Sequence, residues 1–463
     1  MTNDNARPSG LGRPGGDRTL APTQSFTAFA GSSIAAYVAR LVLGMAASIL
    51  TARILGPDGK GILVFLTEVP AMLYALAHLG LGTAFAYRVA RGLSDPRVVA
   101  SYAALAGIVL GLACFGGALL AVGPGNEIWG QVSPWVVVVA MSLVLLLFLE
   151  GFLGETLVGR LKIHHRNFVL VSRSVFTVAL TGLFLGLFKW GVAGGVLASL
   201  GSLGVAVSMQ FFFVLRFVGF RLRLDRELIR KSLTYGILTY LLLLSNTLVY
   251  RIDIFFVKGW LGDGALGIYS TAAGLAQLFW LLPSALTGVL FPVAAQAAGR
   301  KSTHALRLCR LQMALTLVAG PLLAGMAPLV ILLYGQRFMP ALWPFYALLP
   351  GTLILPIFKY LATDLAARGI QKIPLLISLL GLTVDVGLII WWVPLEGWYG
   401  GIVGAGMAST MAYSLMAIVA AAHFSRVRDV RMREIFVPQR SDLQALMSLP
   451  GRAWRRIRTR SEH

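Results

Sequence analysis

The sequence predicts an all-α, polytopic membrane protein with about twelve transmembrane helices in two six-helix lobes. Composition is the first reason. The 463 residues are 57% hydrophobic and 13% charged, with a mean hydropathy of +0.77, whereas a soluble domain is nearer a quarter charged. The second reason is a series of twelve apolar stretches, each long enough to cross about 30 Å of hydrocarbon at about 1.5 Å per residue. The third is a motif that returns at a fixed offset halfway along the chain, the mark of a duplicated unit.

The apolar spans run approximately over 27–50, 62–87, 99–122, 132–155, 168–188, 190–215, 232–257, 266–292, 308–333, 341–365, 373–392 and 398–424. Lys189 and Gly191 leave almost no loop before the sixth. Pro283, Pro321 and Pro356 predict kinks inside spans, which membranes tolerate where neighbours or water re-satisfy the backbone. Residues 1–25 are polar and Gly/Pro-rich. They lack the apolar core of a cleavable signal peptide and read as a disordered cytosolic tail. Residues 426–463 are strongly basic. There Leu443, Leu446, Met447, Trp454 and Ile457 suit a helix on the bilayer surface, with Arg452, Arg455, Arg456 and Arg458 toward anionic headgroups. A solvated basic tail explains the same composition.

Charge then orients the spans. With a cytosolic N-terminus, 31 of the 40 basic residues fall in segments on the inner side, and five, Arg53, Lys60, Lys189, Lys258 and Arg337, on the outer side. That asymmetry places both termini in the cytosol. The net charge of +21 therefore orients helices and is not a nucleic-acid footprint.

The repeated motif is TARILGPDGKGI at 51–62 and KGWLGDGALGI at 258–268. Leu55, Gly56, Gly61 and Ile62 map onto Leu261, Gly262, Gly267 and Ile268 at a constant offset of 206. Both copies read as tight, hinge-like outward turns between the first two helices of a lobe, with Gly56, Gly61, Gly262 and Gly267 supplying backbone freedom. Six spans separate the copies, so the halves have parallel topology. The expected division is an N-lobe at 26–215, a cytosolic linker at 216–231 that its mixed charges suit to a short surface helix, and a C-lobe at 232–425.

Ionisable groups at bilayer depth cost a few kcal/mol on insertion scales, roughly 2.5–3.5 for the most costly, so they line cavities or pair. Arg40 shares one polar face of the first span with Ser33, Tyr37, Gly44, Ser48 and Thr51. Arg251 and Asp253 are two residues apart, so about 200° apart on a helix. Thr247, Arg251 and Lys258 form one stripe; Asn246, Tyr250 and Asp253 form another. Lys359 lies between Thr352 and Thr363 in the tenth span, and Glu68 and Asp385 lie in the second and eleventh. Cations in a central cavity suit a phosphate-bearing ligand. The candidate ligand contacts are Arg40, Tyr37, Arg251, Asn246 and Lys359, with Asp253, Asp385 and Glu68 as ion-coupling or charge-pairing candidates. The same charges also fit buried structural pairs such as Arg251 with Asp385, and Lys359 can snorkel to the inner surface. Arg173, Glu150 and Glu155 read as interfacial, and His78 as a packing residue.

Enzymatic signatures are scarce. Cys114 and Cys309 have no metal-ligand spacing. His164 and His165 lack a completing acid, and there is no Walker A sequence. The chain reads as a non-enzyme without cofactor or metal, whose transport is driven by a Na+ or H+ gradient, by membrane potential or by consumption of product.

ARILGPDGKGI with the following HLGLGTAFAYRVA, and YRIDIFFVKGWLGDGALGIYSTAAGLAQLFWLLPSAL continuing to LFPVAAQ, resemble the polysaccharide-transporter branch of the multidrug/oligosaccharidyl-lipid/polysaccharide (MOP) exporter superfamily. Within it the similarity is to Wzx-type flippases. Ala39-Arg40 through Gly44, and Ala52-Arg53 through Gly56, also resemble the lipid II flippase branch, although that branch carries fourteen helices. The resemblance implies a V of two six-helix lobes that alternate between inward- and outward-open states in a bacterial inner membrane. It implies an undecaprenyl-diphosphate-linked oligosaccharide as cargo, moved for exopolysaccharide or O-antigen synthesis, and Arg40 as a diphosphate contact. Anionic lipid headgroups are expected at the C-terminal tail. A polysaccharide polymerase and glycosyltransferases are further candidate partners. An ion-coupled drug exporter like the MATE proteins, a lipid II flippase and a non-transporting assembly scaffold are the alternatives.

Overall fold

The computed structural model describes residues 22–130, 132–223, 226–280, 283–284, 287, 304–395, 397 and 400–439. Within them the chain is helical, without strands. The long helices are α1 (Pro22–Ala77), α3 (Pro96–Val122), α4 (Pro134–Gly159), α5 (Ile163–Thr181), α6 (Gly191–Phe217), α7 (Arg226–Gln277), α8 (His304–Tyr334), α9 (Leu342–Ala367), α10 (Lys372–Trp392) and α11 (Gly401–Arg428). Two short ones, α2 (Leu81–Ala90) and α12 (Met432–Phe436), complete the set. Helices satisfy every internal backbone group within one segment, which hydrocarbon demands.

Among the described residues ten helices are long and apolar enough to cross a membrane. Two of these segments, 35–77 and 236–280, have 43 and 45 residues, about 65 Å at 1.5 Å per residue and so enough for two crossings each. The ten thereby supply the twelve crossings read from the sequence. The expected turns at 51–62 and 258–268 are not loops. Each is a kink at one residue, Gly56 (φ 69°, ψ −174°) and Gly262 (φ 82°, ψ −172°), inside α1 and α7. That conformation is essentially restricted to glycine. After Gly56, Pro57 restarts the helix at the position where a missing N–H costs nothing. After Gly262, Asp263 places its charge at the positive end of the new helix.

Other boundaries also depart from expectation. Residues 22–25, read as tail, already belong to α1, while residues 1–21 lie outside the described residues. The linker has no surface helix of its own: 219–223 is irregular and Arg226 opens α7. The helices α8 and α9 run on through Pro321 and Pro356; the partly described stretch around Pro283 adds nothing. The amphipathic tail at 443–458 lies outside the described residues.

The helices pack in two groups with the same internal order. In the first, α4 lies against α3 and α6, and α5 against α6; in the second, α9 lies against α8 and α11, and α10 against α11. Lipid supplies no hydrophobic drive between helices, so close packing must hold them. Accordingly Gly404, Ala408 and Ala412 form a buried small-residue stripe on α11. A Cβ on Gly351 of α9 would come within 2.5 Å of the Thr410 backbone. Conversely, Leu105, Val109, Leu112 and Leu120 on α3, and Leu322 and Leu329 on α8, are exposed, an apolar rim that suits acyl chains. The groups meet chiefly through α1 and α7. The main apolar core crosses between them near the kinks, joining Phe65 and Leu66 of α1 to Leu266 and Tyr269 of α7 and to Phe338 beyond α8.

Candidate functional site

A cavity of about 160 Å³ lies between the groups, walled among the described residues by α1 and α7. From α1 come Ser48 and the i, i+4, i+8 stripe Lys60, Val64 and Glu68. From α7 come Tyr250, Arg251, Asp253 and Ile254 before the kink, and Ser270, Ala273, Gly274 and Gln277 after it. Arg251 and Asp253 both border the cavity despite facing apart, because the second half of α7 folds back beside the first.

Arg251 Nη1 donates to Glu68 Oε1 at 2.9 Å, an ion pair that bridges the groups. Arg251 therefore does not pair with Asp385. Asp253 is buried; its Oδ1 accepts the Ile254 N–H at 2.8 Å and its Oδ2 accepts the Tyr269 hydroxyl. Asp385, on α10, is fully buried beside Ser409 of α11, and among the described residues neither of its oxygens makes a well-aligned hydrogen bond. Ser378 Oγ donates to Asn246 Oδ1 at 3.2 Å across α10 and α7. Asp385 and Asp253 each lie seven residues, about two turns, beyond that contact on parallel crossings. The two carboxylates thus share one level of the second group and act on each other electrostatically.

Besides Asp385, four candidates lie away from this cavity. Asn246 is spent within the second group, donating to Leu242 O at 2.9 Å and accepting from Ser378. Lys359 sits over the Trp280 ring at 4.0 Å and the Tyr250 ring at 5.1 Å. The cavity-wall ring of Tyr250 thus connects it to the site indirectly. Arg40 and Tyr37 are exposed on the first half of α1. Arg40 feels the charges of Glu150, Arg173 and Arg166. Glu150 is the centre of this cluster. Glu150 is buried, and Arg173 Nη1 reaches its Oε2 at 2.7 Å; Arg166 pairs with Glu155 at 2.9 Å. Glu150 lies about two and a half turns before the end of α4. Three arginines and two glutamates thus line one polar zone of the first group.

His78 packs between the Tyr74 and Tyr240 rings, with Nδ1 accepting the Gly80 N–H at 3.0 Å. Gly80 and Gly236 meet backbone to backbone: a Cβ on either would lie 2.8–2.9 Å from the other's carbonyl oxygen. The Tyr240 hydroxyl donates to Leu76 O at the same crossing. Near the kinks the groups meet again. Arg53 Nε donates to Leu333 O at 2.7 Å, and a Cβ on Gly264 would lie 2.6 Å from Asp58 Oδ1.

Sequence reasoning missed Lys60, which it placed among loop charges. It is buried, 4% exposed. The usable signal was its spacing of eight residues from Glu68. Among the described residues no three His, Cys, Asp or Glu side chains gather as a metal site.

Residues 28–298 match the polysaccharide biosynthesis protein family. No curated protein sequence matches the chain. Solved structures share the fold. An inward-facing multidrug-resistance MATE transporter of the MOP superfamily is 16% identical, with 86% of this chain and 99% of that one covered and a TM-score of 0.71. An outward-facing one is 17% identical, covering 88% and 97%, with a TM-score of 0.64. A MOP-superfamily transporter from Pyrococcus furiosus, described as having a binding pocket of reversed polarity, is also 17% identical, covering 88% and 97%, with a TM-score of 0.64. The chain belongs to the polysaccharide biosynthesis protein family and has the multi-pass helical fold of MOP-superfamily transporters.

Proposed function

We propose that the protein is a flippase that carries an undecaprenyl-diphosphate-linked oligosaccharide from the cytosolic to the outer leaflet of a bacterial inner membrane. One observation carries the reading: the cavity between the helix groups has Lys60 and Arg251 in its walls, within a polysaccharide biosynthesis family. Guanidinium and ammonium groups bind phosphate oxygens through charge-assisted hydrogen bonds, and a low-dielectric wall strengthens them. The diphosphate enters between the lobes while the polyprenyl chain stays in lipid. The lobes are residues 26–215 and 232–425, joined on the cytosolic side where both termini lie.

Arg40, Arg166 and Arg173 in the first lobe receive the headgroup from the cytosol; Arg251 and Lys60 take it deeper. Binding of Na+ or H+ at Asp253 and Asp385 biases the lobe equilibrium, because an ion that prefers one state shifts the population toward it. Movement of cargo needs no bond-breaking, and the chain acts as a transporter rather than an enzyme. The test is deletion followed by lipid analysis. The expected result is accumulation of undecaprenyl-diphosphate oligosaccharide on the cytosolic side; its absence overturns the reading. A second reading, an exporter of cationic drugs, draws on the buried acids Asp253 and Asp385. Drug efflux from cells expressing the protein, abolished by Asp253→Asn, would favour it.

A further inference from the structure

We propose that Lys60 is the latch of the outward joint and that the anionic group of the cargo releases it. The inference rests on the flippase reading and on the outward placement of the kinks. Lys60 belongs to the first lobe, yet most of what holds it belongs to the second. Its Nζ donates to Thr271 Oγ1 at 2.7 Å, and Thr271 is free to accept because its own hydroxyl donates to Gly267 O. The same ammonium stands 4.6 Å from the Tyr334 ring centre and 5.3 Å from that of Phe338. Among the described residues only Ser48 Oγ, at 3.1 Å, is a hydrogen-bond partner from its own lobe.

The side chain is buried, and among the described residues no carboxylate forms an ion pair with it. A buried ammonium held by two hydroxyls and two rings is attracted but not neutralised. The anionic partner it lacks is what the cargo carries. Lys60 and Arg251 wall the same cavity, so a diphosphate there reaches both. When Lys60 turns to it, Thr271, Tyr334 and Phe338 lose their contact with its ammonium, and the joint loosens. The device is specific to one repeat: the position equivalent to Lys60 is Leu266, packed in the apolar core. It also explains a lysine on the side of the membrane that positive charge otherwise avoids.

The joint can be read directly. Asp58→Cys with Gly264→Cys places two thiols across it, because Asp58 Oδ1 lies 2.6 Å from a Cβ built on Gly264. The full chain carrying both is reconstituted in neutral-lipid vesicles and oxidised with undecaprenyl diphosphate, with undecaprenol, or with phosphatidylglycerol. Undecaprenyl diphosphate should lower disulfide yield at least about fivefold, the lower end of ordinary coupling between sites, and the other two should leave it high. Lys60→Arg should keep the response. Lys60→Met, which lacks the ammonium, should cross-link as weakly without the diphosphate as the wild type does with it, while the diphosphate still raises its melting temperature through Arg251. Release by undecaprenol or phosphatidylglycerol, or an unchanged response in Lys60→Met, overturns the latch and leaves the flippase reading standing. So does binding that leaves the wild-type joint closed. Failure of undecaprenyl diphosphate to bind either protein overturns both.

Discussion

Gly61 and Gly267 lie 206 positions apart and take the same kind of contact: the Asp263 carbonyl sits where a Cβ of Gly61 would be, and the Pro57 carbonyl where a Cβ of Gly267 would be. Pro57 and Asp263 are themselves equivalent residues, each the first after its kink glycine. The duplicated motif is thus its own partner, packed about a local pseudo-two-fold axis, and it closes one end of the interface between the two helix groups.

Gly61→Ala and Gly267→Ala should each separate this joint, because backbone carbonyls cannot swing aside as side chains can. Overpacking of this kind costs about 1–3 kcal/mol. Gly259→Ala, with nothing within 4 Å of its Cβ on an exposed face of α7, should be neutral or slightly stabilising. Thermal melting of the purified protein checks the contrast; equal effects at 61 and 259 would dismiss the joint.

The kinks make a separate prediction. At Gly262 a Cβ meets nothing within 4 Å, so Gly262→Ala is opposed by backbone conformation alone. The expected destabilisation is about 1–3 kcal/mol, and proline at 263 should not relieve it. A melting temperature unchanged by Gly262→Ala would mean that the segment can straighten.

Arg251 and Glu68 are partly solvated by the cavity, with side-chain exposures of 40% and 23%. Removing either partner should weaken contact between the helix groups only modestly. A double-mutant cycle on Arg251→Ala and Glu68→Ala should give a coupling of about 0.5–3 kcal/mol. Transport should respond differently. Arg251→Ala should abolish export, whereas Glu68→Gln should preserve it, since only the cation faces an anionic cargo.

Asp385 should reveal itself by opposite effects on stability and transport. A buried carboxylate with only Ser409 beside it is costly, so Asp385→Asn should raise the melting temperature in cation-free buffer. If Asp253 and Asp385 hold a coupling ion, Na+ or H+ should stabilise the wild type, by about 2.7 kcal/mol at a hundredfold excess over Kd. Asp385→Asn should lose that stabilisation together with ion-driven export. Stabilisation by Na+ that survives the substitution would move the ion elsewhere.

Much of the architecture is legible in the chain. Twelve crossings follow from apolar length, because a membrane span is set by thickness and rise per residue. The duplication follows from Leu55-Gly56 and Leu261-Gly262 at a constant offset. The placement of Arg251, Asp253 and Asp385 within long helices is legible too, since charges within long apolar runs are conspicuous. Their partners are not. Arg251 finds Glu68, which lies 183 residues away, and no local pattern encodes a pairing between helices from different halves.

Lys60 marks the boundary between the two kinds of knowledge. Read as sequence, it is one charge in a Gly-rich turn, and a turn beside a membrane is expected to be wet. Read as structure, the turn is a single glycine kink that leaves Lys60 on the second half of α1, where Thr271, Tyr334 and Phe338 from the other half close over it. The sequence by itself determined how many times the chain crosses the membrane and that one half repeats the other, because hydrophobic length and self-similarity are local properties. Only the tertiary structure decided which charges meet and which are enclosed, because those depend on two long helices, α1 and α7, folding back at Gly56 and Gly262 and packing against each other.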